Sequence, residues 1–205
     1  MTQAMRRPLV TVAVVTLNAA AELPGTLRSI ARQTWQEKEV LVVDGGSTDG
    51  TIAILRDPAS GVTRWESGKD RGPYDAMNKA AALASGEWII FMNAGDWFAD
   101  PQAIEHALRD VPPDADFVIG HHLYRLLDGS MVLHKAADFE QTWAQLRAGA
   151  FSFRWLSGIP CHQATFTRRA LLAAHPYDIG FRIAADHDLM FRTRADGAKF
   201  HHANA

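Results

Sequence analysis

Residues able to do chemistry cluster at three places where apolar runs of the chain end or begin. The run Val40–Val43 ends in Asp44-Gly45-Gly46-Ser47-Thr48-Asp49-Gly50. Trp88–Met92 ends in Asn93-Ala94-Gly95-Asp96, and Ile183-Ala184-Ala185 leads into Asp186-His187-Asp188-Leu189. A carboxylate such as Asp44 at a strand end can accept hydrogen bonds from a base N–H or a ribose hydroxyl, and neighbouring glycines let a ligand come close. Ser47, Thr48 or Asp49 suits the cap of a following helix. A divalent ion on a substrate diphosphate needs only one or two protein carboxylates, and Asp96 offers one. Such an ion neutralises the charge of a diphosphate leaving group. Transfer to a hydroxyl needs a base for its proton, and Asp186 and Asp188 are candidates. Residues two apart do not share a helix face, so one of the two serves.

Weaker signals surround these. Glu66 and the run Asp70-Arg71-Gly72-Pro73-Tyr74-Asp75-Ala76-Met77-Asn78-Lys79 form a polar loop entering a helix. Arg71 and Lys79 could meet phosphate oxygens near the helix N-terminus, although solvated surface charge explains the pattern better. His162 and Gln163 could contact donor or acceptor, against the plainer reading of a structural histidine beside a strand. Trp97, next to Asp96, could border the site and stack on a sugar. Cys161 reads as a small, half-buried residue.

These groups are positioned by strands alternating with helices. Leu9–Val15 is a β-branched run with the pattern of a strand buried on both faces. Leu23, Leu27, Ile30 and Ala31 form one apolar helical stripe. Val40–Val43, Val62–Trp65 and Trp88–Met92 read as further strands. Helices are expected around Ile52 and Leu55, from Pro73 to Ala84 with proline in the first turn, and over Gln102–Arg109. Asp116–Tyr124 and Ser130–Lys135 flank Asp128-Gly129, a hairpin signal. A helix around Ala137–Arg147, a loop through Cys161, a strand near Ala164–Thr167 and a helix near Ala185–Arg194 complete the chain. The pattern predicts an α/β fold, one domain over residues 1–205. Residues 9–110 form a nucleotide-binding half and residues 111–205 an acceptor-facing half. Three strand ends then deliver polar groups in order: Thr16 and Asn18, Asp44, and Asn93 with Asp96. Ligands of open α/β sheets bind at such strand ends.

Composition narrows the classes. The chain has 205 residues, 47% hydrophobic and 21% charged, with a net charge of −2. That balance gives no electrostatic reason to expect nucleic acid. A single cysteine precludes an intramolecular disulfide and suits a reducing compartment. No stretch reaches the length of a spanning helix. A cytoplasmic protein is expected, with room for peripheral contact at the inner face of the membrane.

Together the motifs resemble family 2 glycosyltransferases of the GT-A fold. The likeness runs from Val12–Asn18 through Val42–Thr51, Asp70–Lys79, Gly86–Asp96 and His162–Phe166 to Ala185–Leu189. It covers the chain from about Leu9 to His202 and is similar to a subgroup from bacterial exopolysaccharide and capsule clusters. The resemblance implies a Rossmann-like mixed sheet flanked by helices. It also implies inverting transfer from a nucleotide diphosphate sugar to a saccharide or lipid-linked saccharide acceptor, with Mn2+ or Mg2+ on the diphosphate. Asp44 would hold the nucleoside, Thr16 and Asn18 would line its pocket, Asn93 and Asp96 would face the diphosphate, and Asp186 would be the base. Asn93 and Gly95 stand where relatives carry acids of an Asp-x-Asp metal motif, so metal dependence is expected to be weak. Met77 replaces an arginine, which leaves the phosphate contact to Arg71 or Lys79. Specificity would lie within Phe117–Cys161.

Other classes fit less well. A sugar-phosphate nucleotidyltransferase needs a Gly-rich basic loop after the first strand, where Thr16-Leu17-Asn18-Ala19-Ala20 stands. A dinucleotide dehydrogenase needs G-x-G-x-x-G there. A catalytically degenerate nucleotide-sugar-binding module would explain the missing acids, but not the retained Asp96 and Asp186.

Overall fold

The computed structural model describes residues 9–136, 138–150 and 159–203. The arginines before Pro8, the expected helix start at Ala137 and part of the Phe117–Cys161 stretch lie outside those residues.

Seven strands build the main sheet: β1 (Val10–Thr16), β2 (Lys38–Asp44), β3 (Arg64–Ser67), β4 (Trp88–Asn93), β5 (Phe117–Ile119), β8 (Thr165–Arg168) and β9 (Phe200–His202). Their spatial order is β3-β2-β1-β4-β8-β5-β9. β8 runs antiparallel to its neighbours β4 and β5, while the other pairings are parallel. β6 (His122–Arg125) and β7 (Met131–His134) form a separate antiparallel hairpin. The helices are α1 (Leu23–Ala31), α2 (Thr51–Arg56), α3 (Pro73–Leu83), α4 (Ala103–Leu108), α5 (Phe139–Arg147), α6 (Arg169–Ala174) and α7 (Ala185–Ala195).

Alternation along the strands creates two cores. Val10, Val12 and Val14 of β1 join Ile90 and Met92 of β4 against α1, α2 and α4. Ala13 and Val15 join Ile89 and Phe91 against α3, α5, α6 and α7. β1 is therefore buried at every position, as parallel strands covered on both faces must be. Each large side chain taken wholly out of water here contributes about 1.5–3 kcal/mol. α3 starts at Pro73 and turns Tyr74, Ala76, Met77 and Ala80 inward. Asn78 then ties α3 to the segment before α7, donating to Tyr177 O and accepting from Tyr177 N, both at 2.9 Å.

Two expectations differ from the outcome. Asp116–Tyr124 does not form one strand of a hairpin. Phe117–Ile119 is fully buried in the main sheet, and the chain leaves it after Gly120, whose N–H donates to Ala164 O. Only His122–Arg125 pairs with Met131–His134. The short α6 and β9 were not anticipated, because six and three residues carry too little periodicity to register.

Candidate functional site

The carboxyl-terminal ends of β1, β2 and β4 meet at one edge of the sheet. The antiparallel β8 brings its amino-terminal end to the same edge. In β4–β8 register Ile90 faces Phe166, and the turn His162–Ala164 immediately precedes β8 at that edge. That reversal is why residues preceding a strand in the second half join residues following strands in the first.

At the β2 end Asp44 is fully buried. Its carboxylate accepts from the N–H groups of Gly46 (3.0 Å) and Ser47 (2.9 Å), from Ser67 Oγ (2.6 Å), and from Ser47 Oγ. Burial alone would raise its pKa, but these donors outweigh it and hold the group below the ordinary carboxylate value. Both oxygens of Asp44, the residue expected to hold the nucleoside, thus accept hydrogen bonds that shape the loop, three at Oδ2 and one at Oδ1. The reachable carboxylate is that of Asp70. A β-carbon at position 45 would lie 2.7 Å from Asp70 Oδ2, so Gly45 leaves the space that Asp70 fills. Asp70 Oδ1 accepts from Gly72 N at 3.0 Å.

Thr16 lies beside Asp44 in register, and its Oγ1 is buried with no protein partner. Asn18 is exposed in the left-handed region, with φ of 49°. Its N–H donates to Ser47 Oγ (2.7 Å) and its Oδ1 accepts from Thr48 N (2.8 Å), bracing the loops after β1 and β2 together. Asp49 adds to the brace by accepting from Ala20 N and Thr51 N, while the cap position of α2 is Gly50, which makes no side-chain cap hydrogen bond.

At the β4 end Asp96 Oδ2 accepts from Asn93 N (2.8 Å) and Asn93 Nδ2 (3.1 Å), closing a tight turn. Gly95 within it has φ of 105°, which L side chains rarely adopt. The glycine in place of an acid is thus built into the turn. Among the described residues no group of three or more His, Cys, Asp or Glu side chains could hold a metal ion by itself. One half-exposed carboxylate fits only an ion that draws most of its ligands from a substrate diphosphate. His202 Nε2 accepts from Phe139 N, a structural role at the sheet's far edge.

The third group is the most tightly assembled. Ala184, with φ of 68°, turns the chain into α7 and sends Asp186 inward. Asp186 is buried, and its Oδ2 lies 3.0 Å from His162 Nδ1. Burial, and after it the nearby charge of Asp186, pushes the Tyr74 hydroxyl pKa up. Burial would raise the Asp186 pKa, but the hydrogen bond and charge of His162, with those of His187, prevail and hold it below the usual range. His162 Nε2 is buried and has no partner among the described residues. Asp188 points away, paired with Arg192 at 3.1 Å. The two carboxylates thus face different surroundings, as residues two apart on a helix do.

Cys161 stands between the clusters. Burial pushes its thiol up to about 11, and the charges of Asp186 and Asp96 both add to that rise. The structure does not bring Arg71 or Lys79 into a free position. Asp75 pairs with both, at 3.1 and 3.2 Å. These pairs are solvent-exposed on the basic side and worth little, so either cation can exchange partners. Two site residues lacked a distinguishing signal in the sequence. Tyr74 and Asp70 sit in a motif whose charges drew attention, but their partners come from the fold.

A model described as glycosyl transferase family 2 matches residues 11–174. The chain is 34% identical over 194 residues to a PGL/p-HBAD biosynthesis glycosyltransferase of Mycobacterium bovis, covering 92% of this chain and 70% of that one. It is 33% identical to an uncharacterized glycosyltransferase of Mycobacterium tuberculosis over 90% of its own length. Among solved structures, the mannosyltransferase of Pyrobaculum calidifontis in complex with GDP-Man and Mn2+ matches with a TM-score of 0.68 at 22% identity, and this chain spans 56% of it. Glucosyl-3-phosphoglycerate synthase of Mycobacterium tuberculosis in complex with UDP matches with a TM-score of 0.60 at 19% identity. These structural likenesses carry the fold.

Proposed function

The chain belongs to the family 2 glycosyltransferases, and from that premise we propose that it transfers a sugar, with inversion, from a nucleotide diphosphate donor to an acceptor hydroxyl. The observation that carries this reading is the buried Asp186–His162 pair at the same sheet edge as Asn93–Asp96. The named relatives, and the nucleotide or nucleotide sugar in two matched structures, support the donor class. Assembly of a saccharide or lipid-linked saccharide, in the cytoplasm or at its membrane face, completes the proposal. No helix among the described residues is long and apolar enough to cross a membrane.

In this reading the acceptor oxygen attacks the anomeric carbon as the bond from that carbon to the diphosphate breaks. The acceptor proton passes to Asp186, and the departing diphosphate carries away the electron pair. A carboxylate below its usual pKa is a weak base in the ground state, yet the hydroxyl becomes acidic as its oxygen bonds to carbon. His162 holds Asp186 in one orientation, so no rotamer search precedes the transfer. Thr16 and Asp70 meet the nucleoside, on a loop that Asp44, Asn18 and Ser47 keep in shape. Arg71 or Lys79 moves from Asp75 to a phosphate oxygen. A bound divalent ion would neutralise the leaving diphosphate, with Asp96 as its protein ligand and Asn93 holding that carboxylate.

A thermal-shift screen of nucleotide sugars with and without Mn2+, followed by donor hydrolysis, tests the reading, since binding raises apparent stability by mass action. Stabilisation without any turnover, toward water or acceptors, would favour a binding module that has lost catalysis.

Two further outcomes follow. Asp70→Asn should weaken nucleoside diphosphate binding by roughly 1.5–3 kcal/mol, the worth of a hydrogen bond to a charged group, with or without metal. Calorimetry showing wild-type affinity would remove Asp70 from the pocket. For Asp96, metal and nucleoside diphosphate should bind with positive and reciprocal coupling. Asp96→Ala should abolish the coupling while most nucleoside affinity stays. Tight Mn2+ binding to bare protein, after correction for free diphosphate, would place the ion elsewhere.

A further inference from the structure

A cavity of about 470 Å³ opens beside Asp96 and lies between the underside of β4 and β8 and the hairpin β6–β7. Its volume falls in the range of small-molecule sites. Its two ends differ in chemistry. Toward the sheet edge it is lined by Asp96, Cys161 and Gln163. Away from that edge the walls are Trp97, Phe98 and Met92 on one side, with Leu123, Met131 and Leu133 of the hairpin on the other.

The hairpin does not bury this apolar face. Leu123 and Leu133 form a cross-strand pair yet remain 41% and 52% exposed, and Met131 is 43% exposed. A surface of this kind next to a reaction centre is unusual unless something apolar covers it. His122 adds a second sign. Both of its ring nitrogens are buried and without partners within the cavity wall, where Tyr124 and His134 pack against it at 4.6 Å. A buried polar group with no partner calls for a ligand atom or water.

The polar end adjoins the catalytic groups, because Cys161 and Gln163, which line it, flank His162, and His162 Nδ1 lies 3.0 Å from Asp186 Oδ2. A molecule lying in the cavity therefore presents one end to the base. We infer that this cavity binds the acceptor through an apolar aryl or acyl group that carries the reacting hydroxyl at its Cys161 end, and that a free sugar is not its occupant. Hexoses need hydrogen bonds around their whole perimeter, and the hairpin wall supplies none from Leu123, Met131 or Leu133. Asp100, His106, His121 and Tyr124 also line the cavity, so the apolar body is placed against the Leu123–Leu133 wall. This inference rests on the transferase reading, which it narrows to an acceptor class.

The test uses 4-hexylphenol as the probe, titrated by calorimetry and by quenching of tryptophan emission, with the exposed Trp97 as reporter. Saturable binding is expected, whereas glucose and mannose at the same concentrations give none. Leu133→Asp should lower probe affinity about tenfold or more, since it sets a charge against the apolar body. Leu123→Asp serves as a second variant. Both sites are already half exposed, so nucleoside diphosphate affinity should remain at the wild-type level and certify the fold. Equal probe affinity in both variants, or displacement of the probe by free hexose, would overturn the inference. So would loss of a dimer in either variant, or co-sedimentation with phosphatidylglycerol vesicles that the probe does not relieve. Failure of the wild type to bind any nucleoside diphosphate would strike at the donor reading instead, and the probe titration would still decide the cavity.

Discussion

Asp186→Asn is expected to lower turnover by a factor on the order of 10²–10⁴, the usual worth of a positioned general base. Asparagine keeps the shape of the side chain and can still meet His162, but it cannot take a proton. Donor affinity should hardly change, because the nucleoside contacts lie at the β1 and β2 ends. Steady-state kinetics would check this, and near-normal turnover would pass the role to Asp188, despite its pairing with Arg192. The same site makes a pH prediction. Burial raises the Asp186 pKa, and His162 and His187 together lower it by more. In the wild type the acid limb of kcat/KM should therefore lie below the ordinary carboxylate range. His162→Gln removes two of the contributions that oppose burial, leaving those of His187, so the limb should move to higher pH while activity on the alkaline side is largely kept. A purely structural histidine would depress the whole profile without moving the limb.

Asp44→Ala should produce the largest loss of stability among the site variants. Four donors converge on this buried carboxylate. Each hydrogen bond to a charged group nets about 1.5–3 kcal/mol, but four that share one group do not add fully, and a loss of about 3 kcal/mol is expected. For a chain of this size that corresponds to a fall of roughly 6–12 °C in Tm. Nucleoside affinity should fall as well, because the loop from Gly45 to Ser47 loses its anchor. The folded pKa is depressed, so the carboxylate's contribution is present above its unfolded value and lost as pH falls through the folded one. Acid unfolding of the wild type should accordingly be steeper than that of Asp44→Ala. A variant that melts with the wild type would show that the loop is held by the Asn18 and Asp49 braces alone.

Much of this arrangement was legible in the sequence, for identifiable reasons. β1 is β-branched throughout, α1 carries its apolar stripe on Leu23, Leu27 and Ile30, and Pro73 opens α3, so local pattern and tertiary burial agree. The same agreement placed Asn93–Asp96 at a strand end. Side-chain commitment was not legible. Asp44 is the kind of residue that meets ligands, but which of its lone pairs are already used depends on Ser67, on another strand. Asp70 gains its position from an absence, the missing side chain of Gly45. The pairing of His162 with Asp186 joins the turn before β8 to α7, and no spacing in either motif encodes it. The break between β5 and β6 escaped notice because residues 116–124 have strand character throughout. Only the pairing partners tell the two apart.

The placement of β8 bears on how the chain is made. β5 has β8 and β9 as its neighbours, and β8 stands between it and β4. During synthesis β1 to β4 are complete once Asn93 has emerged, but β5 then has no strand to join until Thr165–Arg168 appears. At ordinary elongation rates that interval lasts about 2–10 s. Throughout it β4 presents an open edge of buried type, and the fully apolar Phe117–Ile119 is uncovered. Such edges recruit other chains. A nascent chain stalled before Thr165 is therefore expected to depend on chaperones, and a product truncated there to aggregate, although its nucleotide-binding strands are all present.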